Sequence, residues 1–103
     1  MLSKPKYGWW GYAKWIIRQY PAREGKFIQG KALEEQTAVK RAIDQTKQME
    51  NGMERIQVIE MVFFRRTHTL EGAAQMIPCS ERTARRWHTD FIKCVARNYG
   101  LME

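Results

Sequence analysis

Apolar side chains in this chain recur at helical spacing in one segment after another, and no stretch alternates with a period of two for long enough to make a strand. That excludes a sheet and leaves an all-α fold of about five helices. From Gly8 to Tyr20 the set Trp9, Tyr12, Ala13, Ile16, Ile17 and Tyr20 forms one stripe, with Lys14 and Arg18 on another side. The helix is expected to end before Pro21, because the residue preceding a proline is pushed out of the α region. Pro21, Gly25 and Gly30 mark a loop. Lys31 to Glu50 is rich in strong helix formers and is the most polar helix expected. Asn51 and Gly52 then break the chain, both being residues that accept left-handed backbone angles.

Met53 to Arg66 is apolar almost all round, through Ile56, Val58, Ile59, Met61, Val62, Phe63 and Phe64. Such a segment is expected to be the buried central helix. Thr69 is a candidate N-cap for a short helix from about Leu70 to Met76, which Ile77 and Pro78 stop. Ser80 caps a last helix that continues to about Asn98, before Gly100 ends it. The 103 residues make one domain in this reading, with an N-terminal helical part (1–52) for packing or oligomerisation and a C-terminal part (53–103) that carries the chemistry.

The segment LEGAAQMIPCSERTARRWHTDF, Leu70 to Phe91, meets position by position the needs of a helix-turn-helix. Two steeply crossing helices need small residues where they touch, and Ala73, Ala74 and Ala84 supply them. Ile77 and Cys79 suit the apolar plug of the turn. In the last helix Ala84, Trp87, His88, Phe91 and Val95 form an inner row, which leaves Glu81, Arg82, Arg85, Arg86, Thr89 and Lys93 pointing outward. Recognition helices present N-terminal residues to base edges, and arginine makes the commonest specific contact, bidentate to guanine. Arg82, Arg85 and Arg86 are therefore the expected base readers. Thr83, Thr89 and Lys93 lie closer to phosphates, and Ser80 and Glu81 complete the candidate DNA-binding set.

Charge agrees with such a partner. Eighteen Lys and Arg against 11 Asp and Glu give a formal net charge of +7, divided +5 and +2 between the residues up to Met53 and those after it. A basic excess spread over the whole chain suits a protein lying along a phosphate backbone. Cys79 and Cys94 are too few, and too far from His68 and His88, for a metal site of known spacing, and no cofactor is implied. No paired acids, activated nucleophile or glycine-rich phosphate loop points to an enzyme. Lys14 and Arg18 interrupt the aromatic opening before an apolar span could form, so no membrane segment is expected and the cytoplasm is the default compartment. Trp9, Trp10 and Trp15 beside those two cations fit a cover for the third helix, a dimer interface or, less readily, a membrane-surface helix.

The run VIEMVFFRRTHTLEGAAQMIPCSERTARRWH, Val58 to His88, together with IIRQYP in the Trp15 to Pro21 opening, resembles the RinA-type phage transcriptional activators, whose C-terminal helix-turn-helix looks like region 4 of bacterial sigma factors. The resemblance implies a phage or prophage protein in a bacterial cytoplasm that regulates late or packaging genes. A homodimer on duplex DNA follows from need, since one short recognition helix reads few base pairs and two half-sites about 34 Å apart multiply specificity. A small terminase-like packaging subunit and a sigma-like module bound to RNA polymerase are the alternative roles for the same helices.

Overall fold

The computed structural model describes residues 8–77 and 79–101. Within them the chain forms five α-helices and no strand: α1 (Trp10–Arg23), α2 (Lys31–Lys47), α3 (Gly52–Ile59), α4 (Leu70–Met76) and α5 (Glu81–Tyr99). A π-helical turn, Glu60–Phe64, extends α3 without a break. Residues 1–7, Pro78, expected to help stop the short helix, and the two residues after Leu101 lie outside the described part.

Helix α1 does not stop at Tyr20 but runs through Pro21 to Arg23. Proline removes one donor from the ladder, yet its fixed φ is compatible with a helix, and neighbours from α2 hold the last turn in place. Gln36 Nε2 donates to the Tyr20 carbonyl at 2.9 Å, and Arg23 reaches Glu35 at 2.7 Å. Helix α2 ends at Lys47, three residues earlier than its composition predicts.

The break between α2 and α3 uses Asn51 and Gly52 for different reasons. Asn51 is left-handed, with φ 60° and ψ 32°. Gly52 is needed for space, since a Cβ there would stand 2.4 Å from the Lys47 carbonyl oxygen. Gly52→Ala is therefore expected to destabilise the protein by about 2 kcal/mol, the overlap with backbone outweighing the gain in helix propensity. A urea titration checks this, and a variant as stable as the parent would show that the α2–α3 approach relaxes freely.

The expected central helix is not the spine. Met53 is 63% exposed and Gln57 is exposed, so α3 buries one side only, through Ile56, Val58 and Ile59. Helix α5 packs against all four of the other helices and holds the centre. Its length explains this: 19 residues span about 28 Å at 1.5 Å per residue, enough to reach two separate clusters. The larger cluster gathers Ile16 and Ile17 of α1, Val39 of α2, Ile59 of α3 and Phe91 and Ile92 of α5. The smaller one joins Val58, Ala73, Ala74, Ile77, Ala84 and Trp87.

A buried carboxylate ties α1, α2 and α5 together. Glu35 is 3% exposed, accepts hydrogen bonds from Arg23 and from the Tyr12 hydroxyl, and so joins Tyr99 of α5, whose Oη lies 3.2 Å from that of Tyr12. Burial alone would raise the Glu35 carboxyl, but the bonds from Tyr12 and Arg23 and the charges of Arg23 and Lys31 outweigh it and hold its pKa below the usual value. Burial and the same carboxylate push the Tyr12 phenol up.

Both cysteines are free thiols, Cys94 buried and Cys79 partly so. Among the described residues no helix is long and apolar enough to cross a membrane. Trp9 and Trp10 pack on the larger cluster, whereas Trp15 is 44% exposed, stacked on Tyr12 and covered by the Arg23 guanidinium 5.3 Å from its ring.

Candidate nucleic-acid interface

Two side-chain caps set where the last two helices start. Thr69 has extended backbone angles, and its Oγ1 accepts from the Gly72 N–H at 3.0 Å, which starts α4. Ser80 does the same for α5, its Oγ accepting from the Thr83 N–H at 3.0 Å, with the Thr83 hydroxyl 2.9 Å away. Each cap satisfies one of the donors that a helix leaves open at its first turn. Between them Ile77 leaves the helix with φ −110° and ψ 130°, and its 2%-exposed side chain joins the smaller cluster, with Cys79 packed against that cluster. Ala73, Ala74 and Ala84 are buried in the same small cluster.

The far end of α5 closes as its sequence predicts. Gly100 adopts φ 90°, and the Leu101 N–H returns to the Ala96 carbonyl at 2.8 Å.

Helix geometry then sorts the eight candidate residues. At about 100° per residue, Arg82, Arg86, Thr89 and Lys93 fall within one narrow stripe, opposite the buried row of Ala84, Trp87, Phe91 and Val95. Arg82 and Arg86 are exposed and make no ion pair among the described residues, whereas Thr89 and Lys93 are partly buried. Arg85 and Glu81 form an exposed pair at 2.9 Å beside that stripe. Such an i,i+4 surface pair contributes only about 0.3–0.5 kcal/mol and releases Arg85 at little cost. Ser80 and Thr83 are engaged with each other in the cap.

The two sides of the stripe differ. Toward α3, the Arg55 guanidinium lies 5.6 Å from the Trp87 ring centre and 3.3 Å from the Asp90 carboxylate, closing that flank. Trp87 is core, 4% exposed, and its indole Nε1 is buried with no hydrogen-bond partner among the described residues. On the other side, His88 stacks nearly parallel on Phe63 of the π-helical turn, with ring centres 4.7 Å apart. Burial pushes the His88 pKa down to about 4, helped by the positive charges of Lys14, Arg18 and Arg85. The imidazole is therefore neutral at pH 7 and acts as a packing ring.

Sequence reasoning missed Arg55 as a brace on α5 and missed Lys14 and Arg18 as its neighbours. The i,i+4 spacing of Lys14 and Arg18 marks a basic stripe on α1, but only the packing of α1 shows which way that stripe turns.

Among the described residues no three His, Cys, Asp or Glu side chains converge as metal ligands would. A cleft of about 640 Å³ between Tyr20, Ile43, Met53 and Phe64 takes none of its lining from α5. Comparison of the chain with models of known protein families, with curated proteins and with solved structures found no match.

Proposed function

We propose that the protein binds duplex DNA, with α4 and α5 acting as a helix-turn-helix and α5 lying in the major groove. The observation that carries this reading is the pair Arg82 and Arg86. They stand exposed, with no ionic partner among the described residues, in the first two turns of a helix whose start is fixed by the Ser80 cap and whose opposite face is fully packed. Cations that the described fold leaves uncompensated on a narrow ridge suit bidentate contacts to guanine O6 and N7. Arg85 joins them once Glu81 releases it. In this reading Thr89 and Lys93, further along the stripe, contact phosphate oxygens.

The biological role proposed for this binding is sequence-specific transcription regulation, in the manner of the RinA-type activators that the Val58 to His88 run resembles. A homodimer would present two such helices to a repeated or palindromic site in a bacterial cell carrying the phage or prophage.

Selection from a random duplex library at about 0.15 M salt, followed by titration on the enriched sequence, tests the reading. Arg82→Ala and Arg86→Ala are each expected to cost about 1–3 kcal/mol on that sequence and to relax the preference at one base position. The ridge on α5 is not the reading surface if both variants bind as the parent does. Absence of any enriched sequence, with weak binding to all duplexes, would discard sequence-specific recognition.

A further inference from the structure

We propose that α1 supplies a second part of the interface, with Lys14 and Arg18 binding the DNA phosphate backbone at the rim of the groove that α5 enters. The proposal rests on the reading of α5 as a recognition helix and adds a helix that the reading does not require.

Three observations support it. Lys14 and Arg18 lie one turn apart on α1, next to Ala13 and Ile17, which are fully buried. Helix α1 packs directly on α5, and Arg85 and His88 mark the edge of α5 on that side. Neither Lys14 nor Arg18 forms an ion pair among the described residues, although both act on the His88 imidazole together with Arg85. Three like charges brought together from two helices repel one another, and among the described residues the ion pairs offset that only at Arg85, through Glu81.

Dimensions identify the ligand. Packed helices lie about 8–10 Å apart, and the major groove of B-DNA is about 12 Å wide. A helix flanking one that sits in the groove therefore meets the groove wall, where the phosphates are. Contacts of that kind fix orientation and carry no sequence information.

The test is the full-length double variant Lys14→Gln/Arg18→Gln, titrated with the duplex selected by the parent protein and with a scrambled duplex over a range of salt. Loss of two phosphate contacts is expected to flatten the log–log salt slope by about 1.8 and to weaken binding roughly thirtyfold at about 0.15 M salt on both duplexes. The charge-keeping variant Lys14→Arg/Arg18→Lys should bind like the parent.

Unchanged affinity and slope in the neutral variant, while the parent still selects a sequence, would remove α1 from the interface and leave the α5 reading intact. Equal loss in the charge-keeping variant would trace the effect to packing, and loss on the selected duplex alone would make it a base contact; either result overturns the phosphate assignment. A parent protein that binds no duplex would overturn both readings together.

Discussion

Replacing Glu35 with alanine should lower the unfolding free energy by about 3 kcal/mol. Removing one member of a buried ion pair costs about 3–5 kcal/mol, because the remaining charge stays desolvated without compensation. The lower end applies here, since Arg23 is 21% exposed and can recover some water, whereas the Glu35 side chain is only 4% exposed. The Tyr12 hydroxyl loses its acceptor in the same step. Glu35→Gln should cost less, because an amide oxygen still accepts from Tyr12 while the charge is lost. Urea denaturation followed by circular dichroism measures both variants. A loss below about 1 kcal/mol for the alanine variant would show that the Tyr12–Glu35–Arg23 network does not clamp α1 to α2. For a domain held by about 5–15 kcal/mol, the expected change is a large share of the total.

Acid should weaken the protein well before carboxylates titrate, and His88 is the reason. Its pKa falls from 6.5 to about 4 on folding. A group whose folded pKa is depressed contributes stability that is fully present above its unfolded value. That stability is lost as protons bind the unfolded chain first, in this case as pH falls from about 6.5 to about 4. The difference amounts to about 3 kcal/mol. His88→Phe keeps a ring against Phe63 and removes the titration, so its stability should stay level over the same pH interval while the parent declines. Parallel urea titrations at steps between pH 7 and pH 4 decide the matter, and equal slopes for the two proteins would assign the acid sensitivity elsewhere. Glu35, held below the ordinary carboxylate value, contributes at lower pH: its stabilisation is present above about 4.5 and disappears as pH falls through its folded pKa.

The parts of this fold written in local chemistry were legible in the sequence. Thr69 and Ser80 announce the starts of α4 and α5 because a hydroxyl three residues ahead of an open N–H satisfies it whatever the rest of the chain does. Gly100 marks the end of α5 for an equally local reason. The candidate residues of α5 sort into an outer stripe because helical periodicity is fixed by the backbone alone.

Features that depend on a partner from elsewhere in the chain were not legible. Pro21 reads as a stop, and only Gln36 and Glu35 of α2 explain why α1 passes it. Glu35 looks like one more charge on the most polar helix until Arg23 and Tyr12 close over it. The apolar breadth of Met53 to Phe64 suggested the centre of the molecule, yet Met53 faces water and the chain turns π-helical over its last five residues. The approach of Lys14 and Arg18 to α5 follows from how two helices cross, which no single segment encodes.

The division of the interior into two clusters bears on how the molecule opens. Four of the six residues of the smaller cluster come from Leu70–Ala84 or the turn within it, and three of the six are alanines, which bury little surface when they pack. The larger cluster gathers Ile, Val and Phe side chains from four helices. Helix α4 can therefore detach at a small fraction of the global unfolding free energy, while the second half of α5 stays anchored until the whole chain unfolds. One continuous helix thus belongs to a soft region at its first two turns and a firm one beyond, and the ridge of arginines rides on the soft end.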